Sequence, residues 1–166
     1  METRRELFAM IKVGIGYDVH KLKKGLELYV GGVNISSEFG SDGHSDGDAL
    51  IHAIVDALLG AAGLGDIGTY FPSDSDEWKE APSHIFLTDA NNKIKNEGFI
   101  INNIDSTIVL EKPRLAQYIP DIIQSLSKIL DLDRSKICVK ATTTDGLGFI
   151  GNEQGWGVLA IVSISK

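Results

Sequence analysis

Two residues with metal-binding side chains stand close together near the start of the chain. Asp18 and His20 lie in the stretch GIGYDVHKL, from Gly14 to Leu22, directly after an alternating run. Residues two positions apart in a β-strand point to the same face, so both side chains can reach one point near the end of this strand. A carboxylate oxygen and a neutral imidazole nitrogen are both good zinc ligands, so the pair indicates part of a metal site that needs a third ligand.

The clearest helix of the sequence offers that ligand. In DALIHAIVDALLGAAG, residues 48–63, apolar residues recur at helical spacing, while Asp48, His52 and Asp56 lie along one stripe opposite much of the apolar face. Taken alone, His52 is more simply a hydrogen-bonded histidine of the core, and a D-x-H pair occurs by chance on many surfaces.

Asp18, His20 and His52 together would form the protein ligands of a catalytic zinc site, which keeps a fourth position open for water or substrate. A zinc dication bound by one carboxylate and two neutral imidazoles retains a net positive charge. Such a site suits a phosphate oxygen.

Two further polar segments could bind an anion. The segment GHSDGD, residues 43–48, leads into the helix, where backbone N–H groups favour anions and where His44 and Ser45 can donate hydrogen bonds. Plain helix capping by Ser45 and Asp48 explains the same segment equally well. The segment KATTTDGLGF, residues 140–149, is a hydroxyl-rich strand end that runs into glycines, although threonines also suit the exposed face of a strand.

Short strands and helices alternate along the chain. The predicted strands cover residues 12–20, 26–35 (a hairpin around Gly31 and Gly32), 99–111, 136–142 and 156–165. The predicted helices cover residues 48–63, 84–97 and 116–132, and the predicted loops cover residues 36–48, 66–83 and 143–155. Because the strands interleave with helices, the order predicts one sheet covered by helices.

The composition argues against several classes of protein. The 166 residues fit one domain with a sizeable core, and 16 basic against 23 acidic residues give a net charge of -7, which argues against nucleic-acid binding. No apolar run approaches the ~18 residues of a membrane span, and the N-terminal METRRELFAMIK lacks the apolar region of a secretory signal. We expect residues 1–9 to be an N-terminal extension, disordered or introduced by cloning, and residues 10–166 to form a single domain. The lone Cys138 cannot form an internal disulfide, which favours a cytosol-like setting, and its apolar neighbours predict a buried side chain.

Six segments, taken in order, resemble the 2-C-methyl-D-erythritol 2,4-cyclodiphosphate synthase family. They are GIGYDVHKL, GGV, HSDGDALIHAIVDALLGAAGLGDIGTYFP, NIDSTIV, KPRL and KATTTDGLGF, and the resemblance covers nearly all of residues 11–165. It implies conversion of 4-diphosphocytidyl-2-C-methyl-D-erythritol 2-phosphate to the 2,4-cyclodiphosphate with release of CMP, a step of the non-mevalonate isoprenoid pathway. The substrate's own 2-phosphate would attack the β-phosphorus, so the enzyme's task is to orient the substrate and to neutralise charge.

The resemblance also implies the architecture and the assembly. It implies a two-layer α+β fold with one mixed, mainly four-stranded sheet, a small hairpin, and helices packed on one face of the sheet. The chain would assemble as a homotrimer with each active site between two subunits, the cytidine part being bound by the neighbouring subunit. The expected location is the cytoplasm of a bacterium, or a plastid-type organelle in a eukaryote.

Roles for individual residues follow from the resemblance by position. Asp18, His20 and His52 match the zinc ligands, and His44 and Thr143 match the residues that stabilise the transition state. Asp56 matches a nearby acid, for which a hydrogen bond that orients a zinc ligand is an alternative role. The positions implied in substrate binding near the metal are Asp18, Val19, His20, His44, Ser45, Asp56, Asp66, Ile67 and Gly68, the last three at the methylerythritol part.

Three other segments are implied in substrate binding. One is a mobile loop that covers the site, one binds cytosine through its backbone, and one lies at the diphosphate. The loop comprises Phe71, Pro72, Ser73, Asp74 and Ser75. The cytosine segment comprises Leu110, Glu111, Lys112, Pro113, Arg114, Leu115 and Ala116. The diphosphate segment comprises Thr142, Thr143, Thr144 and Asp145, and Phe149 and Asn152 follow it.

Three positions and one loop depart from the family pattern, the loop being FPSDSDEW, residues 71–78, where FPDTDP is common. Asp145 stands where Glu is usual; that position binds a second divalent cation, and we expect magnesium or manganese still to bind through the shorter side chain. Asn152 and Leu159 replace an Arg and a Glu that line a cavity on the trimer axis, where some members hold isoprenoid diphosphates. Anion capture on that axis is therefore not expected.

Two other functions remain compatible with the same residues. A zinc-dependent phosphohydrolase would use metal-bound water on a phosphate ester. A non-catalytic trimeric module would bind cytidine nucleotides or isoprenoid diphosphates without turnover. Identification of the reaction product and substitution of His44 and Thr143 would distinguish these functions.

Overall fold

The structure is a computed structural model that describes residues 10–79 and 81–166, so the predicted N-terminal extension, residues 1–9, lies outside the described residues. Its strands are β1 (Ile11–Lys24), β2 (Leu28–Val30), β3 (Val33–Ile35), β4 (Phe39–Asp42), β5 (Ile100–Val109), β6 (Ile137–Thr142) and β7 (Gly155–Ser165). Its α-helices are α1 (Ala49–Ala62), α2 (Ile67–Tyr70), α3 (His84–Asn96), α4 (Ile119–Leu130) and α5 (Gly148–Gly151), and short 3-10 turns cover Asp76–Trp78 and Arg134–Lys136.

The main sheet has five strands in the order β4-β1-β7-β5-β6, and β2 and β3 form a separate hairpin. Only β5 and β6 pair in parallel within the described sheet, so the predicted mixed α+β fold is confirmed. The prediction of a mainly four-stranded sheet missed β4, whose sequence FGSD has the composition of a loop. Gly40 is required in this strand because a Cβ there would lie 2.0 Å from the Glu27 carbonyl oxygen.

The predicted loops are also more ordered than the sequence indicated. The segment 66–83 contains α2 and one 3-10 turn, and the segment 143–155 contains α5. Both helices are single turns of four residues, which carry too few apolar residues to show helical periodicity.

Helix α1 lies directly on β1 because two glycines remove the side chains between them. A Cβ at Gly14 would lie 1.9 Å from the Ala57 carbonyl oxygen, and a Cβ at Gly16 would lie 1.9 Å from the Ala53 carbonyl oxygen. The backbones can approach this closely only without those side chains. The contact fixes the position of α1, and therefore of His52, relative to the strand that carries Asp18 and His20.

The face of the sheet under the helices forms the core. On β7 the side chains at alternate positions from Trp156 to Ile164 are fully buried there, and Trp156 donates from Nε1 to Ser41 Oγ at 2.9 Å. The same face of β1 carries Gly14 and Gly16 and continues to Asp18 and His20 at its polar end. The metal-binding side chains therefore lie where the core ends.

The opposite face of the sheet is apolar but open in the single chain. Val13, Ile15 and Tyr17 on β1 are 65%, 65% and 62% exposed, and Leu159 and Ile161 on β7 are 40% and 43% exposed. Cys138 also lies on this face and is exposed, so the prediction that it is buried was wrong. In β6 the alternate residues Ile137 and Val139 face the core instead.

Within the described residues, no helix combines the length and the apolar character that a membrane crossing requires.

Candidate functional site

Three potential metal ligands converge at the end of β1. Asp18 Oδ2 lies 2.9 Å from His20 Nε2 and 3.1 Å from His52 Nδ1, and the two ring nitrogens lie 3.1 Å apart. Each residue offers one ligand atom, and the three atoms lie within 4.8 Å of one another. The predicted convergence of strand and helix is therefore confirmed.

The donor set of this cluster fits a divalent cation. The side chains of Asp18, His20 and His52 are 26%, 15% and 11% exposed, so one edge remains accessible. Two imidazole nitrogens that face each other at 3.1 Å repel through their lone pairs unless a proton or a cation lies between them. One carboxylate oxygen and two imidazole nitrogens with an open side are a ligand set that zinc and similar divalent cations accept.

Burial and charge act against each other in this cluster. Burial disfavours the ionised form of Asp18, but its contacts with the rings of His20 and His52 outweigh burial and hold the pKa of this carboxyl well below its usual value. Burial likewise disfavours the charged form of His52, yet its interactions with Asp18 raise the pKa of the imidazole above its usual value. The cluster thus keeps a carboxylate anion beside two imidazoles, which favours a bound cation.

Two of the candidate residues at the start of α1 have different roles. Asp48 is fully buried and accepts hydrogen bonds from the backbone N–H groups of Gly31, Gly32 and Ile51, so it caps α1 and ties the helix to the β2–β3 hairpin. Ser45 instead lies beside the metal cluster, with its Oγ 3.2 Å from His52 Nε2. The capping explanation holds for Asp48 but not for Ser45.

A cavity of about 270 Å³ opens beside the cluster. Its lining residues are His20, His44, Ser45, His52, Ile67, Gly68, Phe71, Ser73, Trp78 and Phe86. His44 is held by a hydrogen bond of 2.8 Å between its Nε2 and the Ser75 carbonyl oxygen, which joins it to the predicted covering loop.

Trp78 and Phe86 were missed from the sequence. Phe71 lies 5.0 Å from Trp78 and 4.5 Å from Phe86 between ring centroids, so the three rings form one wall of the cavity. Trp78 follows the loop FPSDSDE, and an aromatic residue in a polar loop is a signal that could have found it. Phe86 lies in the apolar pattern of α3, where a wall residue cannot be told from a core residue.

Two acidic candidates hold the backbone of α2. Asp56 accepts a hydrogen bond of 2.8 Å from Ile67 N, and burial raises the pKa of its carboxyl. Asp66 is exposed and caps α2 by accepting hydrogen bonds from the N and Oγ1 of Thr69, both at 2.8 Å. The hydrogen bond of Asp56 thus holds the first residue of α2, Ile67, rather than a metal ligand.

A second cavity of about 540 Å³ is lined by most of the predicted cytosine segment. Its lining residues are Leu110, Glu111, Pro113, Arg114, Leu115, Ala116, Ile119, Ala141, Thr142 and Thr143, of which Ile119 and Ala141 were not predicted. Glu111 accepts hydrogen bonds from Thr144 N at 2.8 Å and from Thr144 Oγ1 at 2.9 Å, which ties the cytosine segment to the diphosphate segment. His44 and Thr143, the two predicted catalytic residues, thus line different cavities of one chain.

The remaining predicted residues line neither cavity. Val19 lies on the open face of β1, and Lys112 pairs with Glu153 at 2.7 Å. Asp145 is exposed, with its Oδ1 3.4 Å from Thr143 Oγ1. The others in this group are Pro72, Asp74, Ser75, Phe149 and Asn152.

The model of the YgbB family matches residues 11–165. This chain belongs to the YgbB family.

Curated relatives match this YgbB family chain over most of its length. A protein of Clostridium acetobutylicum named 2-C-methyl-D-erythritol 2,4-cyclodiphosphate synthase is 51% identical over 145 residues, which cover 87% of this chain and 94% of that protein. A protein of Alkaliphilus oremlandii with the same name is 47% identical over 156 residues, which cover 94% of this chain and 99% of that protein.

Solved structures share the YgbB fold of the chain. The bifunctional IspDF of Campylobacter jejuni superposes with a TM-score of 0.92 at 40% identity, over 95% of this chain but only 43% of that longer protein. IspF of Plasmodium falciparum in complex with CDP superposes with a TM-score of 0.84 at 35% identity, over 95% of this chain and 97% of that protein.

Two of the positions that were expected to depart from the family pattern, Asn152 and Leu159, lie outside the metal cluster. Leu159 is 40% exposed on the open face of the sheet. Asn152 ends α5, where its N–H bonds to the Gly148 carbonyl oxygen at 3.0 Å. Neither residue belongs to the cluster of Asp18, His20 and His52 or to the lining of the cavity beside it.

Proposed function

We propose that this chain is a 2-C-methyl-D-erythritol 2,4-cyclodiphosphate synthase, a phosphorus–oxygen lyase of the non-mevalonate isoprenoid pathway. It converts 4-diphosphocytidyl-2-C-methyl-D-erythritol 2-phosphate to the 2,4-cyclodiphosphate and releases CMP. Family membership and relatives of this name at 51% and 47% identity support the proposal. The observation that carries it is the convergence of Asp18, His20 and His52 beside a cavity that His44 and Ser45 also line.

The protein needs no nucleophile of its own for this reaction. An oxygen of the substrate's 2-phosphate forms a bond to the β-phosphorus, the bond from that phosphorus to the CMP oxygen breaks, and CMP leaves with the electron pair. Asp18, His20 and His52 would hold a zinc ion, which supplies positive charge to the β-phosphate oxygens. His44 and Thr143 donate hydrogen bonds to phosphate oxygens on which negative charge develops.

The walls of the cavities would orient the substrate. The α2 backbone, held by Asp56, lies beside the metal cluster and receives the methylerythritol part. The residues from Leu110 to Ala116 receive the cytosine, and Asp145 would take part in binding magnesium or manganese at the diphosphate. This positioning lowers the entropic cost of bringing the phosphate oxygen to the phosphorus.

We infer that the active site forms between subunits of a homotrimer. His44 and Thr143 line different cavities of one chain, which is compatible with a site to which a neighbouring copy supplies one of them. The apolar open face, with Val13, Ile15 and Tyr17, offers a surface for contact between copies. Light scattering should give three times the mass of the chain, and a monomer with full activity would contradict the shared site. A bacterial cytoplasmic location, or a plastid-type organelle in a eukaryote, stays a prediction.

Phosphorus NMR of the reaction with the cytidyl substrate tests the function directly. The synthase produces a cyclic diphosphate and CMP: the ring contains the β-phosphorus and the phosphorus of the former 2-phosphate, and CMP carries the α-phosphorus. Release of inorganic phosphate would show a phosphohydrolase instead. Saturable binding of the substrate without product, with metals supplied, would show a binding module.

A further inference from the structure

We propose that Ser83, held by Asp46, is a positioning residue that fixes the tautomer of His52 and so presents its Nδ1 to the metal. The inference rests on the proposed metal role of Asp18, His20 and His52. Ser83 and Asp46 lie outside the residues that the sequence predicted for the site, and neither lines the cavity beside the metal cluster.

Ser83 is completely buried between the carboxylate of Asp46 and the ring of His52. Its backbone N donates to Asp46 Oδ2 at 2.8 Å, and its hydroxyl donates to Asp46 Oδ1. The same hydroxyl oxygen lies 2.9 Å from His52 Nε2. Asp46 therefore accepts two hydrogen bonds from Ser83, and the hydroxyl oxygen of Ser83 faces the imidazole of His52.

The direction of these hydrogen bonds determines the tautomer of His52. An ionised carboxylate only accepts hydrogen bonds, and a serine hydroxyl has a single hydrogen to donate. Because that hydrogen goes to Asp46, the Ser83 oxygen must accept, and the donor is an N–H at His52 Nε2. In the neutral ring Nδ1 then keeps its lone pair, and this is the atom that lies 3.1 Å from both Asp18 Oδ2 and His20 Nε2.

The other neighbours of His52 show why the hydrogen bond from Nε2 to Ser83 is important for metal binding. With a proton on Nδ1 the ring would donate to Asp18 Oδ2, and that hydrogen bond competes with a metal ion for the same space. Ser45 Oγ lies 3.2 Å from Nε2 and is a weaker partner, since it accepts only from Gly47 N at 3.3 Å and is not held by a carboxylate. The pair of Asp46 and Ser83 therefore biases the ring towards the metal-binding tautomer.

The same pair joins the two segments that form the walls of the site. Asp46 lies in the segment that enters α1, and its backbone N also bonds to the Ala81 carbonyl oxygen at 3.3 Å. Ser83 directly precedes α3 at the end of the long segment after α2, but its side chain makes no capping bond to that helix. The Ser83 hydroxyl is thus hydrogen-bonded to Asp46 and His52 rather than to the backbone of α3.

The proposal is tested by substitution of Ser83 and Asp46 with two readouts. We expect Ser83→Ala to weaken zinc affinity, measured by competition with a chelator, by about 10-fold to 100-fold. In the metal-free protein, at a pH at which the His52 ring is neutral, nitrogen NMR should show the Nε2–H form in the parent and more of the Nδ1–H form in Ser83→Ala. Ser83→Thr retains the hydroxyl and should restore both readouts.

Asp46→Asn gives an independent test if Ser83→Ala fails to fold. The carboxamide can keep its oxygen towards Ser83 N and turn its NH₂ group towards the hydroxyl, which frees that hydroxyl to donate to His52 Nε2. The Nδ1–H tautomer and weaker zinc binding are then expected. Ser106→Ala is the matched control, because Ser106 is also buried and its Oγ bonds to the Cys138 carbonyl oxygen, away from the site.

The outcomes separate this inference from the proposed function. Parent-like zinc affinity and an unchanged tautomer in Ser83→Ala and Asp46→Asn would overturn the role of the pair. A parent protein that binds no zinc would refute the metal centre instead, and the tautomer in the metal-free variants would still decide the role of Ser83. Equal loss of affinity in Ser106→Ala would show a general loss of stability and would also overturn it.

Discussion

At the scale of single residues, the metal cluster depends on three side chains, of which His52 is the most enclosed. Removing its imidazole in His52→Ala takes away the only ligand from α1 and leaves Asp18 and His20 alone. We expect bound zinc to fall to a small fraction of the parent value after dialysis. Elemental analysis measures this, with His84→Ala as control, because His84 is exposed at the start of α3. Full zinc content in His52→Ala would refute the ligand assignment.

His44 and Thr143 are expected to act on the transition state rather than on zinc binding. His44→Ala and Thr143→Ala should each lower kcat by about 100-fold, the effect of losing one donor to developing negative charge. Zinc content should stay at the parent level. Steady-state kinetics check this, with the exposed Thr88→Ala as the matched control for the threonine. Parent-like turnover in both variants would refute the catalytic roles of His44 and Thr143.

At the scale of elements, the contact between β1 and α1 should be sensitive to a single methyl group. In Gly16→Ala the new Cβ would lie 1.9 Å from a backbone oxygen of α1, which cannot move aside as a side chain can. We expect a loss of at least about 1–3 kcal/mol of stability, together with weaker zinc retention as His52 moves from Asp18. Urea unfolding at one fixed protein concentration measures the first effect.

Gly60 on the same helix provides the contrast. A Cβ there would meet nothing within 4 Å, and the residue lies within α1 in ordinary helical backbone. Gly60→Ala should therefore stabilise the protein by about 0.5–1 kcal/mol. If Gly16→Ala and Gly60→Ala change stability alike, the close approach of α1 to β1 does not control the site.

The sequence predicted what depends on local spacing and missed what depends on tertiary contact. Asp18 and His20 share a strand face, and the apolar pattern around His52 marks a helix, so the ligands could be found from residue types alone. Strand β4 could not be found, because Gly40 is set by the approach of Glu27 rather than by strand propensity. Ser83 was missed because a serine before a helix predicts a cap, whereas its hydroxyl turns to Asp46 and His52.

At the scale of the whole molecule, a shared active site predicts complementation between defective subunits. His44→Ala subunits keep Thr143, and Thr143→Ala subunits keep His44. When both are unfolded and refolded together, a site between unlike subunits can combine the two intact residues. We expect the mixture to recover turnover well above that of either variant refolded alone, and above the same mixture without refolding. If the mixture recovers no more turnover than the two variants refolded alone give together, one chain supplies both residues.

The two tryptophans of the chain occupy sharply different surroundings. Trp156 is fully enclosed and donates to Ser41, whereas Trp78 stacks edge-on against Phe71 at the border of the smaller cavity. The emission of Trp156 is therefore a constant background, and a change in fluorescence colour or intensity reports on the surroundings of Trp78. Ligand binding in the smaller cavity can therefore be followed by tryptophan fluorescence without an added label. The Trp78→Phe variant, which retains only Trp156, gives the background signal.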